Sequence, residues 1–493
     1  MNVLVDELEK NELLATFEFD FGAIRNTNWK TEITYFKDVL IEFLNAYQGL
    51  DFDKDNWEAI LDNENLATYL TNVYNAAKKS TLVSEQILPK LPNKIHELID
   101  KADGSIDISF LKELIDENTI DILLTDDIDK LINLLKEIKT LGLLDNAELD
   151  LSDKTTQDSL IKVFKDVFDL SVINGKESAI FKSLIQIIDI EPILSQYNIT
   201  LQYDAVNNWD NEIDYIATIF QNVMTLTGSF EDFDLTQLLT NFTNETDKEL
   251  IADVVSAVGN SELFGDSIYT ILKTAAKEID ESCELELSSE EKYIIESVNG
   301  WKFEALHVLN LIEKIEHIDF EANYETLNAD EMKDIMLYCS ESVISTKVFG
   351  TILNSVFDGV VNQDFTNQDV MKNSADVVYN AINVASIIQN ETIDLNDVTV
   401  TDELITSIEN IATSEENIEL TNQLLNDIIG NEEHVEYTKE DIQDAAEVIE
   451  SIITTYQNDS DQENFDLENL SDEDKEKIEN SEIAKSILEL LFK

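Results

Sequence analysis

Trp209-Asp210-Asn211-Glu212-Ile213, Asp232-Phe233-Asp234 and Ser261-Glu262-Leu263-Phe264 are three short runs whose order recurs along most of the 493-residue chain, and that recurrence decides the fold class. The first run opens an amphipathic helix, with Ile213, Ile216, Ile219 and Phe220 at three- and four-residue spacing. Its counterparts begin at Trp29-x-x-Glu32-Ile33, Leu124-x-x-Asp127-Ile128 and Trp301-x-x-Glu304-Ala305, with weaker copies near Ser374 and Asp441. The acid in each first turn suits the positive end of its own helix dipole.

The second run is an apolar residue among acids or Asn, a pattern that suits a tight turn into another helix. It recurs as Asp51-Phe52-Asp53, Glu148-Leu149-Asp150, Asp319-Phe320-Glu321, Asp394-Leu395-Asn396 and Asn464-Phe465-Asp466. The third is a Ser with an apolar residue two positions on, read as a helix N-cap. Its copies are Ser80-x-Leu82, Ser178-x-Ile180, Ser342-x-Ile344, Ser481-x-Ile483 and, broken by an acid, Ser414-x-Glu416. Capping boxes at Thr246-x-x-Glu249, Ser288-x-x-Glu291 and Thr413-x-x-Glu416 mark further helix starts.

Repetition of this kind predicts an all-α chain, an elongated array or solenoid of about six degenerate helical repeats. The units run over 29–123, 124–208, 209–300, 301–373, 374–440 and a truncated 441–493, after a lead-in at 1–28 that reads as the tail of a preceding unit. Insertions fall at Lys94 to Asp121 and around Ser282 to Val298. Short alternating stretches, Thr16 to Phe21 and Ile199 to Tyr203, are expected to be extended connectors, since two such segments make only a marginal sheet.

Composition agrees with helix. Only 3 Pro and 12 Gly interrupt the chain, and 43% of it is hydrophobic. Against 33 basic residues stand 103 acidic ones, a formal charge of -70, and Arg25 is the single Arg. Such a surface repels phosphate backbones and anionic lipid, which rules against nucleic-acid and direct membrane binding and favours cations or a basic protein partner. Scarce Arg with abundant Asn, Ile and Lys points to an AT-rich bacterial gene.

The start has neither the basic region nor the apolar core of a secretory signal, and no apolar run approaches a membrane span. A complete chain of this kind is expected in the cytoplasm; as a piece of a longer one, it is equally suited to the cell surface. Cys283 and Cys339 stand apart in apolar surroundings and read as buried free thiols.

Candidate chemistry is sparse. Among four His, Glu304-x-x-His307 is half of a carboxylate-bridged di-iron motif whose second Glu-x-x-His is missing. His307 stands in the register of Tyr35 and Tyr215, an ordinary helix-face position. Asp51-x-Asp53-x-Asp55, with Asp62 at the twelfth place, has the spacing of a calcium loop, yet Asn56 replaces the turn Gly and Glu58 an apolar residue. Helix capping accounts for these acids without a metal.

Asp103-Gly104-Ser105-Ile106-Asp107 likewise reads as a turn, because Ile99 and Lys101 stand where ligands belong. The Trp residues at 29, 209 and 301 are expected to pack on neighbouring helices, and the acidic run Asn458 to Glu479 is read as a solvated loop and helix start. No nucleotide-loop, zinc-protease or nucleophile-elbow motif is present. The expectation is a non-enzymatic helical-repeat spacer or protein-interaction module with no catalytic, cofactor or metal residues. A calcium-stiffened surface protein and an enzyme without a recognisable motif are the alternatives.

Overall fold

The computed structural model describes residues 20–50, 57–99, 112, 115–141, 153–188, 194–195, 199–228, 244–320, 323–390, 393–411, 417–431, 434–459, 461–462 and 465–492. Among them the chain is all-α and contains no strand. It divides into two compact units, Met1–Phe233 with Ser261–Ser267, and Asp234–Asn260 with Ile268–Lys493. Ile199 to Gln202 is a connector, tied by hydrogen bonds from the Ile199 amide to the Leu194 carbonyl (2.9 Å) and from the Gln202 amide to the Leu263 carbonyl (2.7 Å).

In the first unit the principal helices are α1 (Trp29–Leu50), α2 (Leu66–Lys78), α3 (Ile128–Thr140), α4 (Lys154–Phe168), α5 (Glu177–Ile188) and α6 (Trp209–Thr227). In the second they are α7 (Glu245–Asn260), α8 (Ser267–Ile279), α9 (Trp301–Ile315), α10 (Ala329–Cys339) and α11 (Val343–Val356). They continue as α12 (Gln368–Ile388), α13 (Val398–Ile411), α14 (Ile418–Ile428), α15 (Lys439–Gln457), α16 (Asp472–Glu479) and α17 (Glu482–Leu491). One packing rule repeats: α4 lies on α6, α7 on α9, α10 on α12 and α13 on α15. Of the helices that open with the first run, α6 and α9 are thus each covered by a helix of the pair preceding it.

The direction of this packing is antiparallel. Trp301 at the start of α9 meets Gly259 at the end of α7, while Glu313 near the end of α9 reaches Lys248 near the start of α7. In the first unit Trp209 stacks on Phe168 (5.9 Å between centroids) and packs at a tilt against Phe181 (5.3 Å), joining a core that includes Val167, Ile173, Ile180 and Ile213. The Trp residues at 209 and 301 therefore pack on neighbouring helices, whereas the side chain of Trp57 lies outside the described residues.

The structure gives the first-turn acid a different task from the one expected. Glu304 is buried, and its carboxylate accepts from the Ser342 hydroxyl (2.6 Å) and from the backbone amides of Val343 (3.2 Å) and Ile344 (2.9 Å) at the start of α11. Ser342 in turn caps Ser345 N (3.1 Å). A buried carboxylate thus closes the N-terminus of a helix 38 residues away, where unmatched amides attract negative charge.

Glu212 does the same for Ser261 (2.5 Å), Glu262 N (2.7 Å) and Leu263 N (3.4 Å), and Glu32 for Ser80 (2.6 Å) and Thr81 N (2.9 Å). The side chains serve the third run's helix rather than their own. A carboxylate in apolar surroundings needs several donors at once, and at least two converge on each of the three.

Asp127 carries a shorter version, accepting from Val172 N (3.1 Å), which corrects the second copy in two ways. Its carboxylate meets the short helical turn Ser171–Ile173, whose start has no side-chain cap, and Ser178 lies inside α5. Leu124 belongs to the preceding helix Glu117–Thr125, and α3 begins only at Ile128.

The weaker copies depart further. Ser374 lies within α12, which starts at Gln368 behind the cap Asn367, and its buried hydroxyl has no partner among the described residues. Asp441 sits in the first turn of α15 and forms a capping box with Thr438.

Ser288 and Glu291 form the expected capping box, and Ser471 and Ser481 cap α16 and α17. Thr246 does not cap: α7 starts one residue earlier, and Asn244 accepts from Asp247 N (3.1 Å). Of the acid boxes, Leu395 is buried ahead of α13, Phe465 packs on Tyr456 and Phe492, and Phe320 meets Phe349 edge-on. The boxes at 51–53, 148–150 and 232–234 lie outside the described residues, as do Ser414 and Thr413.

Candidate functional site

The chemical candidates that fall within the described residues can be placed on this frame. His307 is buried, its ring between Phe303 (4.2 Å) and Tyr338 (4.3 Å, nearly parallel). Burial lowers its pKa, with Glu304 and Glu341 opposing, so the ring is neutral packing material. Glu304 faces the start of α11 instead of sharing a ligand with it. Among the described residues no group of three or more His, Cys, Asp and Glu is placed to hold a metal ion.

The calcium-like acids Asp51, Asp53 and Asp55 lie outside the described residues, as does the turn at 103–107. Asp62, their proposed twelfth member, faces Lys139 (3.3 Å). Cys283 and Cys339 are buried free thiols, and burial pushes both pKa values up, which keeps them protonated and unreactive.

The most buried cation among the described residues was not singled out by the sequence. Lys248 of α7 is 2% exposed, and its ammonium bonds Glu313 (2.6 Å), Glu245 (2.9 Å) and Asn310 (3.0 Å). Burial pulls its pKa down, but the two carboxylates outweigh that and hold the lysine charged. It pins α7 to α9, next to a small cleft of about 40 Å³ lined only by apolar side chains such as Ile251, Val255, Ala305 and Val308. A lining without polar groups offers a substrate nothing to orient it.

Among the clasps, Glu32 shows the electrostatic balance. Burial works against its ionisation, yet the Ser80 hydroxyl and the Thr81 amide prevail and keep its pKa below the usual carboxylate value. A depressed carboxylate contributes stability that is complete above its unfolded pKa and disappears as pH falls through the folded one. Glu32→Gln is therefore expected to be less stable than the parent by a constant margin above about pH 5, narrowing below about pH 4. Urea unfolding of both proteins across pH 3–7 measures that margin.

A surface feature stands out instead of a cavity. On α1, Ile33 (55% exposed), Phe36, Leu40, Ile41, Phe43 (55%), Leu44 and Tyr47 all face solvent, although the opposite side of α1 packs on α2. Together they leave on the order of 600 Å² of apolar surface in water, at the upper end for a monomer's largest patch. Lys30 and Lys37 are exposed on the same helix. Sequence reading saw the amphipathic face but had no means of knowing that it was bare.

No family model matches the chain, and neither a curated protein nor a solved structure matches it. No helix among the described residues is long and apolar enough to cross a membrane.

Proposed function

We propose that this chain is a non-enzymatic helical-repeat spacer or protein-interaction module. The observation that supports it is the recurrent clasp, in which Glu32, Glu212 and Glu304 each close the helix begun by Ser80, Ser261 and Ser342. Repeated joints of one design build a surface of similar helices in series, which suits recognition of another protein. The charge of -70 favours a protein as the partner over nucleic acid.

Removal of an end unit tests the reading. In a repeat array stability is nearly a sum of nearest-neighbour terms. A chain shortened by residues 441–493 is therefore expected to keep its remaining helicity and to melt within about 5 °C of the parent. Collapse of the whole chain on that deletion would mark a single cooperative globule and sink the proposal.

A further inference from the structure

The bare face of α1 has counterparts elsewhere in the chain, and there it is covered. Aligning Trp29 with Trp209 and Trp301 brings Glu32 onto Glu212 and Glu304, so the register is set by the clasp as well as by the Trp. In that register Ile33 corresponds to Ile213 and Ala305, Phe36 to Ile216 and Val308. Ile213 is 6% exposed and shares a core with Val167 and Phe168 of α4; Ala305 is 7% exposed and, with Val308, faces Ile251 and Val255 of α7. The same position on α1 is 55% exposed. In both covered cases the cover is the antiparallel helix of the preceding pair.

Charge narrows the kind of helix that fits. Lys30 stands in the register of Lys302, which bridges Glu249 (2.7 Å) and Asp253 (2.8 Å) on α7. Trp29 stands in that of Trp301, which packs against Gly259. We infer that the exposed face of α1 is a docking surface for an antiparallel, amphipathic, acidic helix of the α7 type, carrying an apolar stripe, two carboxylates four positions apart for Lys30 and a small residue for Trp29. This deepens the interaction-module reading and rests on it.

The test uses the full chain and a fluorescent peptide of sequence 244–260, held helical by a hydrocarbon staple on its solvent side, followed by anisotropy at about 0.15 M salt, where surface charges act over about 8 Å. Saturable binding with a Kd of about 10–100 µM is expected, as for a small interface. Leu40→Glu with Phe43→Glu should weaken it at least about tenfold and Lys30→Glu about threefold. These positions are exposed, so unchanged melting of the variants shows that the loss is local.

Absence of binding at about 1 mM peptide, or binding indifferent to all three substitutions, would overturn the inference. So would a concentration-dependent dimer in sedimentation that Leu40→Glu splits, since the occupant would then be a second copy. The end-unit deletion reports on the array independently: an array that survives it, yet leaves the peptide unbound, refutes this docking surface alone.

Discussion

Glu304→Ala is expected to destabilise the second compact unit by about 3–5 kcal/mol, the cost of breaking a buried charged network by removing one partner. The substitution strips the acceptor from the Ser342 hydroxyl and from the amides of Val343 and Ile344, and all three residues are at most 2% exposed. Water does not reach them, so the lost bonds are not replaced. Glu304→Gln keeps an acceptor oxygen while losing charge, and should cost roughly half as much.

Ser342→Ala removes both a donor to Glu304 and the cap on Ser345 N, for about 1–2 kcal/mol. The double variant should then lose about 1–3 kcal/mol less than the sum of the singles, because both delete the same bond. Urea unfolding reads all four proteins. A loss below about 1 kcal/mol for Glu304→Ala would mean that the clasp is incidental to stability.

Gly259→Ala should destabilise by about 2–4 kcal/mol, against the direction that helix propensity alone dictates. A methyl group there would stand 2.4 Å from Cγ of Trp301 and 2.5 Å from its neighbouring ring carbons. The ring has no room to yield, being 2% exposed and packed edge-on against Tyr269 (5.5 Å). Trp301→Ala should itself cost about 3–5 kcal/mol through lost burial and the cavity it leaves.

The informative comparison is the combination. In the Trp301→Ala background the obstacle is gone, and Gly259→Ala should become neutral or stabilising by up to about 1 kcal/mol, the propensity gain of Ala over Gly. Thermal or urea unfolding of the four proteins shows the change of sign. If Gly259→Ala costs the same in both backgrounds, close approach to Trp301 is not what demands glycine there.

Much of the local structure was legible in the residues. The starts of α6 and α9 follow from three- and four-residue apolar spacing, and the caps Ser342, Ser471 and Ser481 from a hydroxyl that reaches a backbone amide three residues on. Such features are satisfied within one helical turn, so sequence suffices to find them. Thr246 failed for the same local reason, since Asn244, two residues earlier, offers a competing cap.

What the sequence by itself determined is therefore the helical class, the order of the recurring runs and the face that each helix must bury. Tertiary structure alone decided which partners those groups found: that Glu304 closes the helix at Ser342, that Asp127 meets the amide of Val172 rather than the run at Ser178, that Lys248 is buried between two carboxylates, and that the face of α1 stays open. A hydrogen bond or an apolar contact across tens of residues depends on a distance in space, and neither spacing nor composition carries that distance.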